Sequence, residues 1–387
     1  MFYQLPPVGN HVHLKRQAGS EAMLPDFFSP YTPLYLDSGT SALAAAVQAA
    51  IKLKGVETPE VILPAYGCPD LVSAVVYAGA RPVLADLEPE RPWMDLDQVA
   101  ALINPQTVAI VAVSLFGIPE RMQALRQLAS GSTAVLIEDS AQAFPHAGAG
   151  DFWQGDLVVV SFGRGKPVTL LGGGAVLYRD SRIAEVLPHA GMREDGQAGH
   201  PLALRLQAML YNRLLSPRLY WIPQALPFLH LGETCYRSLE RISPMDTARR
   251  ALLPANIEGY RQDTGDTRAA IAALISELAG EGADIIDLSA ACGMSSSRRL
   301  LRYPLLVERK VRDAVFTRLR QAGLGVSCMY GAPLPDIPGV EARLADTGRL
   351  EGAHDFAARV LTLPVFSRLR HADLMQIGAC LHACRSG

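Results

Sequence analysis

Between about residue 36 and residue 180 the chain repeats one pattern: a short, almost wholly apolar run, a turn, then a helix-like stretch. The runs are Val61-Ile62-Leu63-Pro64, Pro82-Val83-Leu84-Ala85-Asp86, and residues 107–114, 134–138, 157–161 and 175–178. A strand with one wet face alternates apolar and polar residues. These runs do not, so both of their faces must be covered. Between them lie helix-like stretches: an Ala-rich one at 40–54, one from 69 toward 78, and one at 119–129 with proline in its first turn. Buried strands separated by helices predict an α/β chain, a mostly parallel central sheet held between two helical layers. Ligands of such sheets sit beyond the carboxyl ends of the strands. Ser114, Asp139 and Ser161 fall there.

Beyond residue 180 the texture changes. An amphipathic stretch at 204–215 is followed by Tyr220-Trp221-Ile222-Pro223 and Leu226-Pro227-Phe228-Leu229. Residues 244–280 are helical in pattern, and β-like segments such as Tyr303-Pro304-Leu305-Leu306-Val307 then alternate with helices such as 311–322. The expected organisation is a large domain over 1–250, with an atypical insert at about 190–235, and a small C-terminal α/β domain over 251–387. At 387 residues the chain is long enough for both. A net charge of −2 supplies no overall field for nucleic acid or an anionic membrane, so neither is an expected partner. Arg205, Arg213 and Arg218 beside Trp221 and Phe228 fit a dimer interface or an active-site lid better than a membrane contact. The six cysteines contain no CxxC pair, so neither a zinc site nor a disulfide framework is expected, and no metal. The N-terminal residues lack the basic-then-apolar order of a secretion signal, and no apolar run has transmembrane length. The expected location is the cytoplasm.

Lys166 is the residue with the most chemical content. It is one of five lysines, and it follows an apolar strand into a glycine-rich turn, Ser161-Phe162-Gly163-Arg164-Gly165-Lys166, with Leu171-Gly172-Gly173-Gly174 beyond. Such a placement suits Schiff-base chemistry, which needs a nucleophilic amine held away from bulk water. Asp139 ends another strand, Val135-Leu136-Ile137-Glu138-Asp139, and Asp37-Ser38-Gly39-Thr40-Ser41 opens the Ala-rich helix. A helix N-terminus with glycine and hydroxyls binds a phosphate monoester through its unpaired N–H groups and dipole. Phosphate cradle, acid and lysine, in that order, are what pyridoxal phosphate needs. Each has a plainer reading alone: Ser38 as an ordinary N-cap, Asp139 as a loop acid, Lys166 as a surface cation. Rival motifs fail. Gly165-Lys166 is no P-loop, since residue 160 is Val and Pro167 replaces the hydroxyl residue, and Gly148-Ala149-Gly150 lacks the third glycine of a dinucleotide fingerprint.

Taken together, Ser38-Gly39-Thr40-Ser41-Ala42-Leu43, Gly79-Ala80-Arg81-Pro82-Val83 with Asp86, Glu138-Asp139-Ser140-Ala141-Gln142-Ala143, the serine-to-lysine spacing of 161–166, and Leu361-Thr362-Leu363-Pro364 resemble the DegT/StrS sugar aminotransferases. The resemblance implies a fold-type-I pyridoxal-phosphate transferase. It makes Lys166 the cofactor-bearing lysine and proton carrier, and Asp139 the partner of the pyridine nitrogen. Gln142 contacts the ring's 3-oxygen, and Gly39, Thr40 and Ser161 hold phosphate. The family's dehydratases carry histidine in place of the lysine, so Lys166 favours transamination. The implied substrates are small molecules: glutamate as amino donor and a keto sugar, nucleotide-linked, as acceptor. The implied assembly is a homodimer, with Arg241 of one subunit reaching the phosphate of the other. Departures are also present. The family's ring-stacking aromatic is replaced by Cys68 in Pro64-Ala65-Tyr66-Gly67-Cys68, leaving Tyr66 or Cys68 to cover the cofactor. Leu239 stands where the family has asparagine, and Ser114-Leu115-Phe116-Gly117 lacks its histidine. These changes favour one alternative, a ketone that is not a nucleotide sugar; a second, a non-catalytic cofactor-binding protein, is opposed by the intact Lys166, Asp139 and Gln142.

Overall fold

The computed structural model describes residues 3–14, 23–187, 199–225, 233–263, 265, 267–280, 283–295, 297–345 and 348–382. Seven strands form the large sheet: β1 (Thr32–Leu36), β2 (Glu60–Pro64), β3 (Arg81–Ala85), β4 (Thr107–Val113), β5 (Val135–Asp139), β6 (Leu157–Ser161) and β7 (Gly174–Tyr178). Their order is β1-β7-β6-β5-β4-β2-β3. The five strands from β3 to β6 are mutually parallel, and β7 runs against both of its neighbours. Two features go beyond the sequence reading: β1 itself, and the reversed direction of β7. Of the expected helices, Gly39–Lys54 and Asp70–Tyr77 lie within a residue of their predicted starts. The third begins at Met122, not at Pro119. Glu120 explains the delay, because its carboxylate accepts the backbone N–H groups of Met94 and Arg121 and holds the chain out of the helix until then.

Both faces of the sheet are buried, as the unbroken apolar runs require. Val61, Leu63, Ala109, Val111 and Ile137 point into one core, and Ile62, Ile110, Ala112 and Leu136 into a second on the opposite face. Helix Gly39–Lys54, with alanine at six of its buried positions, lies close across β6, β7 and β4.

The C-terminal part carries a second, antiparallel sheet of β8 (Ile285–Asp287), β9 (Arg302–Val307) and β10 (Val360–Pro364), in the order β10-β9-β8. Helices Arg268–Gly280, Arg309–Gln321 and Glu351–Arg359 pack on it. Helix Thr247–Gln262 runs through the expected boundary at 250/251. It buries Leu252, Leu253 and Ile257 with Phe28, Trp153 and Val158 of the large domain. Residues 201–214 of the insert form one helix, Pro201–Leu214; residues 188–198 and 226–232, including Phe228, lie outside the described residues. Among the described residues no helix is long and apolar enough to cross a membrane.

Residues 3–14 strap the parts together. Leu5 N–H donates to Gly323 O (2.8 Å), Asn10 Nδ2 to Lys166 O (2.8 Å), and Val12 exchanges two 2.8 Å bonds with Asn212 of the insert helix.

Candidate active site

The carboxyl ends of β2, β4, β5 and β6 open on the same edge of the sheet, and each delivers a polar or reactive group there. Asp139 is the last residue of β5. Strand alternation sends its predecessor to the other face, where Glu138 Oε2 accepts the N–H groups of Gln154 (2.7 Å) and Gly155 (3.0 Å). Of the two acids, Glu138 is therefore structural. Asp139 is buried, and Oδ1 accepts one hydrogen bond, from Ala141 N–H at 2.9 Å. Burial pushes its carboxyl above the usual range, and the Ala141 N–H and the charge of Lys166 oppose that rise.

The phosphate cradle follows from the strand register. Gly174, the first residue of β7, lies opposite Leu36 of β1 on one side and Ser161 of β6 on the other. That pairing brings the residues after Leu36, which open helix Gly39–Lys54, alongside Ser161. The approach is so close that a Cβ on Gly39 would lie 2.7 Å from Ser161 Cβ, and one on Gly174 would lie 2.5 Å from Ser38 O. Only glycine fits either place. Ser38 caps the helix, accepting Ser41 N–H at 3.0 Å, and no acid stands in its first turn. Thr40 lies in that turn, but its hydroxyl donates to Asp70 Oδ2 at 3.1 Å. In this arrangement its proton is committed to a carboxylate and not offered to an anion.

The β6–β7 connection carries Lys166. Phe162 N–H bonds to Gly173 O (2.8 Å), Leu170 N–H to Phe162 O (2.7 Å), and Thr169 Oγ1 to Gly163 O (2.9 Å), which pins both limbs of the loop. Lys166 N–H donates to Gly163 O, and its carbonyl is held by Asn10. Cys68 shares these surroundings: burial pushes its thiol up to about 12, Asp70 adds to the rise, and Lys166 opposes it. Tyr66 is elsewhere. It is buried, donates to Cys328 O (3.3 Å) and packs edge-on against Tyr330 and Phe356 at the junction of the two domains. Of the two ring-covering candidates, Cys68 stands among the charged groups and Tyr66 does not.

Gln142 is held at both ends. Its Oε1 accepts Phe116 N–H (2.9 Å), and its Nε2 donates to Tyr330 OH (2.8 Å). Phe116 has φ of 61°, a left-handed backbone that bulky residues avoid, and Leu171 and Met329 share it. One lies beside Gln142, one in the lysine loop and one next to Tyr330. Strain of this kind gathers where a fold holds functional groups in place. Leu115 and Phe116 are both buried in the core, so they do not offer an apolar acceptor surface. A small pocket lies beside the site, lined by Asn10, Gln142, Pro167, Arg299, Leu301 and Phe366 among others. Arg241 is exposed on the segment that joins the insert to helix Thr247–Gln262. No cluster of His, Cys, Asp and Glu among the described residues is suited to a metal ion.

Sequence reasoning missed Tyr330, Asn10 and Asp70. None carries a local motif, and Tyr330 reaches Gln142 across 188 residues of chain.

The sequence profile described as the DegT/DnrJ/EryC1/StrS aminotransferase family matches residues 21–203 and 245–382. The chain is 27% identical over 361 residues to the UDP-N-acetyl-3-dehydro-alpha-D-glucosamine 3-aminotransferase of Acidithiobacillus ferrooxidans, covering 90% of this chain and 83% of that protein. Over 164 residues, 41% of this chain and 37% of the relative, it is 36% identical to the L-glutamine:2-deoxy-scyllo-inosose aminotransferase of Streptomyces kanamyceticus. Among solved structures, NtdA of Bacillus subtilis with bound cofactor PMP superposes with a TM-score of 0.69 at 19% identity, covering 95% of this chain and 76% of that one. The family's cofactor is pyridoxal phosphate, and the residues present fit it: a glycine cradle too tight for any side chain, a helix end free of acids, and a buried acid with one oxygen lacking a protein donor. The chain belongs to the DegT/DnrJ/EryC1/StrS aminotransferase family and is an aminotransferase.

Proposed function

We propose that this chain transfers the amino group of glutamate to the carbonyl of a keto sugar, nucleotide-linked as in the Acidithiobacillus relative's printed name. The observation that carries the reading is the meeting of three strand ends, which brings the Gly39–Ser161 cradle, Asp139 and Lys166 to one edge of the sheet. Bound pyridoxal phosphate supplies an electron-withdrawing ring that stabilises negative charge beside the transferred nitrogen. The chain's own groups do the rest. The N–H groups of the first turn from Gly39, with Ser161, bind the phosphate. Asp139 holds a proton at the pyridine nitrogen and keeps the ring electron-poor. Gln142, fixed by Phe116 and Tyr330, orients the ring's oxygen edge. The Lys166 amine carries a proton from one carbon to the other.

The space beside Gln142 is lined by Asn10 and Arg299 as well as by apolar groups, which supports a polar acceptor over an apolar ketone. The proposed assembly is a homodimer, supported by the exposure of Arg241 and of Leu202, Leu206, Met209 and Leu210 on the insert helix. The test is transfer of ¹⁵N from labelled glutamate to a panel of UDP- and dTDP-linked keto sugars and simple ketones, read by mass spectrometry. A labelled amino sugar is the expected product. Label on simple ketones alone, or on nothing, overturns the reading.

A further inference from the structure

Lys166 sits at the tip of a loop with little stiffness of its own. Gly163 and Gly165 precede it, and Gly172, Gly173 and Gly174 follow. Glycine leaves a backbone free to move. The limbs of the loop are pinned to each other, but within the tip the Lys166 N–H reaches Gly163 O only at 3.3 Å. Two further props come from outside the loop. Asn10 Nδ2 donates to Lys166 O at 2.8 Å. The hydroxyl of Tyr211 is hydrogen-bonded to the Gly165 backbone and to the Thr169 side chain.

Both outside props lead to the insert helix, Pro201–Leu214. Tyr211 belongs to that helix and packs, partly buried, against the cluster that holds Phe162, Val168 and Leu170 of the loop. Asn10 is anchored two residues along the strap. There Asn212 Oδ1 accepts Val12 N–H and its Nδ2 donates to Val12 O, both at 2.8 Å. Asn256, on helix Thr247–Gln262, grips the next residue in the same manner. It accepts His13 N–H at 2.8 Å and donates to His13 O at 3.0 Å. Two amide forks on consecutive residues fix the register of the strap, and that register decides where the Asn10 amide stands. Asn10, Tyr211 and Asn212 all lie outside the stretches that the family profile matches, 21–203 and 245–382. Adjacent residues of one helix thus reach the lysine loop by two separate routes.

We propose that Tyr211 and Asn212 are positioning residues for the Lys166 amine, Tyr211 through Gly165 and Asn212 through Asn10. The inference rests on the amino-transfer reading above and names what aims its proton carrier. A lysine side chain is long, and the place of its amine follows the direction in which the backbone launches it. Holding the carbonyl of Lys166 and the backbone of Gly165 sets that direction. Proton transfer between two carbons demands close placement, and an error of about 1 Å costs on the order of a hundredfold in rate. The contacts fall on the backbone of the loop and not on the phosphate cradle, so they act on the amine and leave noncovalent cofactor binding alone.

The test uses Tyr211→Phe, Asn10→Ala and Asn212→Leu, and titrates the cofactor-free proteins with two forms of the cofactor. Pyridoxal phosphate has an aldehyde that the lysine captures, forming a C=N bond with loss of water. Pyridoxamine phosphate has none and binds by noncovalent contacts. Each variant should bind pyridoxal phosphate about three- to tenfold more weakly, the worth of a hydrogen bond, and pyridoxamine phosphate within about twofold of wild type. In single-turnover reactions of the loaded enzymes with glutamate, the maximal rate should fall about tenfold or more. The half-saturating concentration should stay within about threefold. Asn10→Ala combined with Asn212→Leu should lose no more than the worse single variant, since both cut one route, whereas Tyr211→Phe should add to either. Equal weakening of the two cofactor forms, unchanged affinity for both, a loss confined to half-saturation, or additive Asn10 and Asn212 effects would each overturn the proposal. If Asn212→Leu does not fold, Asn10→Ala and Tyr211→Phe, which keeps its ring, decide the matter by the same titrations and rates. A wild type that leaves glutamate unreacted would instead sink the amino-transfer reading itself.

Discussion

At the scale of single residues, the site depends on what is buried and what is left unfilled. Burial holds the Asp139 carboxyl above its ordinary range, so its ionised form at neutral pH weakens the cofactor-free fold. The sign follows from linkage: a raised folded-state value favours folding at low pH, and that contribution is lost as pH rises through the raised value. Cofactor-free Asp139→Asn should therefore be more stable than wild type at pH 7, with the gap closing in acid as the wild-type carboxyl takes up its proton. Urea midpoints at pH 7 and pH 4 check this, and equal midpoints at both would contradict it. The same variant should bind pyridoxal phosphate more weakly by about 1.5–3 kcal/mol, the worth of a charge-assisted hydrogen bond. Gly39 makes the complementary case. Its replacement by alanine places a Cβ 2.7 Å from Ser161 Cβ, so overpacking should cost about 1–3 kcal/mol of stability and reduce phosphate-group affinity about tenfold or more. A second change, Ser161→Gly, should relieve the stability loss but not restore the affinity. If Gly39→Ala alone binds the cofactor normally, the cradle lies elsewhere.

At the scale of elements, legibility tracked how locally each feature is encoded. Five buried parallel strands could be read from unbroken apolar runs, because covering both faces leaves no other pattern. The direction of β7 could not, since apolarity carries no polarity of chain direction. β1 was passed over because Thr32 and Pro33 at its start are partly open to solvent and the buried pair Tyr35-Leu36 is too short to signal a strand. Lys166, Asp139 and Ser161 were legible because each lies at or just beyond an apolar strand in the sequence, and Gly39 because it opens the Ala-rich helix. Tyr330 and Asn10 reach the site only through the fold. The strap of residues 3–14 is a further element that no periodicity announced, and it has a pH signature. Burial, then the charges of Arg368 and His13, pull the His11 imidazole from 6.5 down to about 4, against a smaller opposing pull from Asp263. Between those values the unfolded chain binds a proton that the folded chain refuses, so stability falls as pH drops across the window. His11→Gln should flatten the melting temperature over that range while leaving it little changed above pH 7. Parallel curves for the two proteins would show that the strap carries no such load.

At the scale of the whole molecule, the internal stretch that the family profile leaves unmatched is 204–244, which contains most of the insert helix. That helix shows Leu202 at 77% exposure and Leu206 at 64%, with Met209 and Leu210 above one-half. Apolar residues at this spacing on one open helix face are the material of a subunit interface. Replacing Leu206 and Leu210 together with glutamate should raise the concentration at which the proposed homodimer dissociates by about tenfold or more, as read by sedimentation. A dimer of unchanged strength would place the interface on another surface. All of this architecture, seven strands, a strap and a second domain, serves to deliver one amine to one edge of a sheet. The most direct test is borohydride reduction of the protein loaded with pyridoxal phosphate, followed by peptide mass spectrometry of its five lysines. The account predicts a single phosphopyridoxyl adduct, on Lys166. An adduct on another lysine, or none, would contradict it.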